Sequence, residues 1–347
     1  MKDYVLNLTA VRITVVLVCL IIASTASAQS LPTWMGSFSY QGTTYNYTMV
    51  GTAPSTQTST TIQAFVVPVK LVFSGCVTLP CSFAPTSSIV STVTSSPVFD
   101  STTDYTQGGV DLGTTQYIDA FQRGNFWGII GSSMHPGYHL LLGGPRVLGQ
   151  LTITVPSDEG CVGSTDYGYP AGEVDDSWLI TQLENYASTT PTIQPNTLPI
   201  FLTYDAVITI GSPSCNGISG PPTQGVHFSN SSGQTYVQFG YLDPVGHGAH
   251  EPVQPDVSIL SHEVGEWADD PFGSNYPTPC TTNLEVGDPL IGHNHTYTLG
   301  TVPYNLQDLA FLPYFGAPTS TSVNGWFSFQ GENDNNGGTN IPCGNFH

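Results

Sequence analysis

Pro255-Asp256-Val257-Ser258-Ile259-Leu260-Ser261-His262-Glu263-Val264-Gly265-Glu266-Trp267-Ala268-Asp269-Asp270-Pro271 carries two patterns laid over one another. Val257, Leu260, Val264 and Trp267 recur at helical spacing and form one apolar face. His262 and Glu266 are four apart and share a different face, with Glu263 beside them. Asp256 is a suitable N-cap and opens the helix. Pro271 restricts the residue before it and closes it. The stretch therefore predicts a rigid helix with one side for packing and one side for chemistry. The whole chain has only eight glutamates, and two of them follow this one histidine. An ordinary surface helix with acidic residues near its middle is the simpler reading.

An imidazole and a carboxylate one turn apart can hold a metal ion, but a metal needs at least a third protein ligand. Leu284-Glu285-Val286-Gly287-Asp288 follows soon after the helix. Glu285 is the first candidate and Asp288 the next, with His293 and His295 beyond them. Pro271, Gly273, Pro277 and Pro279 make the stretch between helix and candidates a loop.

The N-terminus reads as an export signal. Lys2 and Arg12 precede an unbroken apolar run, Val15 to Ala23, which is too short to span a bilayer. Ala26-Ser27-Ala28 is a small-x-small cleavage site, so Gln29 is the expected first mature residue. An uncleaved anchor is the alternative. No later stretch is long and apolar enough to cross a membrane. The expected location is outside the cytoplasm, extracellular or periplasmic.

Six cysteines remain after cleavage: Cys76, Cys81, Cys161, Cys215, Cys280 and Cys343. An even count in an exported chain suggests disulfides. Cys76 and Cys81 are close enough for a local loop, and Cys280 with Cys343 would tie the C-terminus to the helix region. No C-x-x-C pair supports a zinc–cysteine site.

Basic residues are nearly absent. Only Lys70, Arg123 and Arg146 follow the leader, against 24 of the 25 acidic residues. Such a surface repels phosphate backbones and anionic membranes, which excludes nucleic acid and membrane surfaces as partners. Charged residues make up 9% of the chain, so Ser, Thr, Asn, Gln and Gly must build the surface. With 17 Tyr, 16 Phe and 39% hydrophobic residues the chain can form a core, which argues against disorder.

The expected fold class is α+β, with a β-rich N-terminal half and the metal helix in the C-terminal half. Trp34 to Met49, Thr61 to Phe73, Ser87 to Val98 and Leu148 to Val155 read as β segments. Pro68 should demote part of its run to an edge or a bulge. Thr114 to Arg123 and Glu173 to Tyr186 read as helices, the latter with Glu173, Asp175 and Asp176 in its first turn. Leu198 to Ile210 and Gln234 to Tyr241 read as strands. A soft boundary near Val155 divides the chain into a signal peptide, 1–28, a β-rich region, 29–155, and a metal-binding region, 156–347.

His262-Glu263-Val264-Gly265-Glu266 resembles the His-Glu-x-x-His helix of the zincin superfamily of metallopeptidases, with Glu266 in the second histidine's place. The downstream glutamate makes it most similar to the glutamate-zincin arrangement. That resemblance implies His262 as first ligand, Glu263 as general base and Glu285 as third ligand. It covers Pro255 to Pro289. The same string is similar to the plant phosphate-induced, Exordium-like secreted proteins, which are not established peptidases.

The resemblance implies a secreted zinc hydrolase that acts on peptide or protein substrates. A metal-activated water would attack a peptide carbonyl, with Glu263 moving the proton. His295 or Tyr297 would be donors to the oxyanion. Glu266 in place of histidine makes the ligand set oxygen-rich, which also suits manganese or calcium. The rival expectation is a non-catalytic wall- or carbohydrate-binding protein whose metal site is structural.

Other constellations are weaker. His135 and His139 flank Pro136 and Gly137 and read as a turn. Gly246-His247-Gly248-Ala249-His250 reads as a flexible loop, and Gly331 to Asn336 as a solvated turn without EF-hand spacing. Asn46, Asn230 and Asn294 begin glycosylation sequons. No Gly-x-Ser-x-Gly elbow is present.

Overall fold

The computed structural model describes residues 29–40, 42–76, 80–107, 110–131, 135–164, 169–214, 225–241, 256–275, 284–288, 294–311 and 327–328. The expected leader, His247, His250, His293, Cys280, Cys343 and the segment 331–336 lie outside these residues.

Strand β3 (Ser59–Phe73) is the spine of the fold. On one side it pairs in parallel with β11 (Thr197–Tyr204), which pairs in parallel with β14 (Thr235–Tyr241). On the other side it pairs in parallel first with β7 (His139–Val147) and then with β8 (Leu151–Val155). The two-residue strand β4 (Ser82–Phe83) pairs at Leu71 and Val72. Beyond β14 lies β13 (Gly225–Ser229), an antiparallel edge. Parallel strands are covered on both faces, which is why β3, β11 and β14 are nearly continuous apolar runs.

Alternation along these strands divides two cores. Ile62, Ala64, Val66, Leu198, Ile200, Leu202, Val237 and Phe239 face one side. They meet helices α2 (Tyr117–Asn125) and α4 (Ser258–Asp269). Val67, Val69, Leu71, Phe73, Phe201 and Tyr236 face the other. There Leu179, Leu183 and Ala187 of α3 (Asp176–Thr189) cover them. The chain is thus mixed α and β with a strand-rich N-terminal half, as expected. The boundary expected near Val155 passes through the middle of this sheet, because β3, β7 and β8 precede it and β11, β13 and β14 follow it.

Smaller units surround the sheet. The run Trp34 to Met49 is a hairpin of β1 (Thr33–Tyr40) and β2 (Thr43–Val50). A second hairpin joins β5 (Thr103–Gln107) to β6 (Val110–Thr115). Strands β9 (Gly160–Ser164), β10 (Pro170–Asp175) and β12 (Ala206–Thr209) form a three-stranded sheet. A last hairpin, β15 (Asn294–Leu299) with β16 (Val302–Gln307), lies against α4.

Several local expectations are corrected. Ser87 to Val98 is not a strand: Ser87–Thr94 is helix α1, started by Thr86, whose hydroxyl accepts from Ile89 N at 3.3 Å. Capping chemistry overrides the β propensity of its Ser, Thr and Val residues. Pro68 sits in a central strand, not an edge. On that side β7 ends opposite Val66 and β8 begins opposite Val69, so Pro68 falls where the ladder changes partner. The run Leu198 to Ile210 breaks at Asp205, which has φ 44° and sends β12 to the other sheet. Glu173 belongs to β10, and Asp175 caps α3 by accepting from Trp178 N at 2.9 Å.

No helix among the described residues is long and apolar enough to cross a membrane. Cys76 and Cys81 are disulfide-bonded, with Cα atoms 5.5 Å apart, and Cys161 is disulfide-bonded as well.

Candidate metal centre

Helix α4 has the apolar face the sequence predicts. Leu260, Val264 and Trp267 are fully buried, and each such side chain contributes about 1.5–3 kcal/mol of burial free energy. Trp267 Nε1 donates to Thr235 Oγ1 of β14 at 2.9 Å. Gly265 lies against the Phe121 ring of α2, so close that a Cβ there would sit 2.9 Å from ring carbons. The helix starts one residue later than expected. Val257 occupies the cap position, and Asp256 Oδ1 instead accepts from Ser258 N at 2.9 Å.

The polar face is buried too. His262, Glu263 and Glu266 are 7%, 5% and 2% exposed. A surface helix would leave these groups in water, and burying carboxylates costs several kcal/mol each unless they are paired or hold a cation. Their surroundings are therefore the decisive feature.

Glu266 is fixed at one oxygen. Its Oε1 accepts from Gly287 N at 2.9 Å and from Asp288 N at 3.2 Å. Its Oε2 lies 3.0 Å from His262 Nε2. The 284–288 segment comes this close because residue 287 is glycine: a Cβ there would lie 2.8 Å from His262 Nδ1 and 3.0 Å from Glu266 Oε1. Asp288 Oδ1 is 3.6 Å from His262 Nε2. Glu285 and Glu266 offer carboxylate oxygens within 4.8 Å of one another.

Two residues that the sequence did not single out complete the site. Gln307, at the end of β16, faces His262 Nδ1 with its Oε1 at 2.7 Å and donates from Nε2 to Gly287 O at 2.6 Å. His227, in β13, puts Nδ1 3.5 Å from Glu263 Oε2 and 3.8 Å from Glu266 Oε2. Two triplets, His262–Glu263–Glu266 and His227–Glu266–Glu285, each offer ligand atoms within 4.8 Å of one another. Both include Glu266. The expected residues His262, Glu263, Glu266, Glu285 and Asp288 are thus brought together. His295 packs edge-on against Tyr297, and Tyr297 against Tyr105.

The electrostatics follow from this crowding. Burial pushes Glu285 up to about 7, with the Glu266 charge adding to it. Burial likewise raises Asp288 to about 6. For His227 burial works downward, but the Glu263 hydrogen bond and the charges of Glu285, Glu266 and Glu263 outweigh it and leave the imidazole at about 10. The same contest, won by Glu266, holds His262 well above its ordinary range. Among the described residues, the ion pairs of Glu263, Glu266 and Asp288 are all with these two histidines.

These groups could hold a metal ion. Four carboxylates, two buried and two half-buried, outnumber the two histidines, and carboxylate oxygens and imidazole nitrogens are both metal donors. No protein-family model, characterised protein or solved structure significantly matches this chain.

Proposed function

We propose that the chain is a secreted, zinc-dependent peptidase in which Glu263 is the general base. His262 and Glu266 would hold the metal, together with Glu285 or Asp288. The observation that carries this reading is the convergence of α4 and residues 284–288. The backbone of Gly287 and Asp288 clamps Glu266 Oε1. Its Oε2 then turns toward His262.

Imidazole donors favour zinc over calcium, with manganese the nearest alternative. When bound, zinc supplies polarisation of a carbonyl and of a water molecule. Glu263 removes a proton from the attacking water as its oxygen bonds to the peptide carbon. It then returns the proton to the leaving amine as the C–N bond breaks. A peptide could lie along β13, which pairs only with β14 among the described residues. An open strand edge can accept an extended chain by backbone hydrogen bonds.

The burial of the cluster favours a second reading, a structural metal site in a secreted wall- or carbohydrate-binding protein. A closed site has all its ligands from protein. The test separates the two. Elemental analysis of the mature protein should show zinc that His262→Ala loses. A peptide library should be cleaved by the wild type, while Glu263→Gln retains zinc and does not turn over. A zinc-loaded wild type that cleaves nothing would favour the structural reading, and retained cleavage in Glu263→Gln would remove Glu263 as the base.

A further inference from the structure

We propose that His227 is a metal ligand, supplying from strand β13 the second imidazole that helix α4 replaces with Glu266. This rests on the reading that α4 holds a metal, and it adds a donor which the sequence motif does not contain.

Three observations point the same way. The first is strand geometry. Val226 and Phe228 pack with the core on the α3 side of the sheet. Alternation therefore turns Gly225, His227 and Ser229 toward α4. Gly225 keeps the strand tight against the helix, since a Cβ there would lie 2.6 Å from Glu263 Oε1 and 2.7 Å from Ile259 Cγ2. His227 is thereby placed at the site by backbone on both sides and not by a mobile loop.

The second is the position of the ring. Its side chain is 5% exposed, and Nδ1 faces the carboxylates at 3.5 Å and 3.8 Å. These spacings suit donors that share a cation better than direct hydrogen bonds, which run at about 2.7–3.2 Å. Nδ1 is an ordinary metal-binding nitrogen. Glu266 and Glu285 offer further ligand atoms within 4.8 Å.

The third is charge. Glu263, Glu266, Glu285 and Asp288 share one neighbourhood, the first two buried and the last two half-buried. The mature chain has only three basic side chains other than histidine. Arg123 is committed to Asp119 at 3.1 Å, and Lys70 and Arg146 lie on β3 and β7. A cation held between the two histidines balances these carboxylates. It also releases Glu263 from its ion pair with His227 to act as a base.

The test is zinc affinity of the full mature chain, stripped with a chelator and titrated against a chromogenic competitor, together with the visible spectrum of the cobalt form. His227→Ala should weaken zinc by more than the roughly 10–100-fold that loss of an outer-shell partner costs. It should also change the cobalt spectrum, and added imidazole should restore that spectrum. His227→Gln, which keeps the volume, guards against a folding defect and should show the same loss. His135→Ala, whose ring meets Gln57 at an exposed contact, should bind as the wild type does. Zinc affinity within about 10-fold of wild type and an unchanged cobalt spectrum in both His227 variants would overturn the proposal, leaving His227 as a counter-charge to Glu263. If His262→Ala also bound zinc normally, the metal site on α4 would fail with it; if only the His227 variants did, the α4 site would stand.

Discussion

Gln307 donates from Nε2 to the Gly287 carbonyl at 2.6 Å and turns Oε1 toward His262 Nδ1 at 2.7 Å. A carbonyl can only accept, so the amide has one orientation, and Nδ1 must carry the proton between ring and amide. In the protonated ring Nε2 donates to Glu266 Oε2, 3.0 Å away; in the neutral tautomer that Nδ1–H selects, Nε2 is the nitrogen with a free lone pair. If α4 holds a metal, the hydrogen bond on Nδ1 would leave Nε2 for it, as an outer-shell partner does.

Gln307→Ala should therefore lower zinc affinity by about 10–100-fold while leaving the ligands in place. Competition titration measures the loss. Affinity equal to the wild type would show that helix packing alone orients His262.

Gly287→Ala tests how the 284–288 segment reaches α4. The added Cβ would lie 2.8 Å from His262 Nδ1, 3.0 Å from Glu266 Oε1 and 3.1 Å from Gln307 Nε2. Three groups of the site would have to move for one methyl group. Overpacking of this kind costs about 1–3 kcal/mol, and the shift should also weaken zinc binding. Denaturant unfolding and zinc titration together check this. A stable variant with normal zinc affinity would mean that the segment yields easily.

The helix itself was legible in the sequence. Its apolar spacing, the His262–Glu266 pair and the stop at Pro271 are local features, and all three appear in α4. Glu285 and Asp288 were legible as candidates because they follow closely along the chain. His227 and Gln307 were not, because each reaches the site through strand pairing. Val226 and Phe228 show only that the strand alternates; nothing local says that β13 lies next to α4. The core strands were found from composition. Their order was not, since pairing β3 with both β7 and β11 depends on crossovers that leave no short-range mark. Helix α1 was missed because Thr86 capping outweighed its β-branched composition.

Asp269, at the end of α4, is fully buried, and burial holds its carboxyl well above the ordinary range. Its Oδ2 accepts from Asn125 Nδ2 at 3.2 Å. Among the described residues its Oδ1 and Asn125 Oδ1 have no hydrogen-bond partner. A neutral acid here is close in shape to an amide. Asp269→Asn should thus change stability by less than about 1 kcal/mol at neutral pH. Asp269→Ala, which strands Asn125, should cost about 1–3 kcal/mol. Urea unfolding of the two variants distinguishes them, and a large loss in Asp269→Asn would mean that the carboxylate is charged in the fold.

The pH dependence of the metal-free protein has a definite sign. Glu285 rises from 4.5 to about 7 and Asp288 from 3.8 to about 6, so the fold binds these protons more tightly than the unfolded chain does. Their contribution is present in acid and lost as pH climbs through 6 and 7. His227, raised from 6.5 to about 10, is protonated in the fold at neutral pH, and its contribution is likewise complete below 6.5 and lost above. All three groups act in one direction, so Tm in the presence of chelator should fall from pH 5 to pH 8. Zinc requires deprotonated carboxylates and neutral imidazoles, so it binds better as pH rises. The gain in Tm on adding zinc should therefore grow over the same interval, and His262→Ala should remove it at every pH. Thermal melts at matched ionic strength check both parts. A zinc-induced gain that stays flat from pH 5 to pH 8 would mean that these residues do not release protons to a metal.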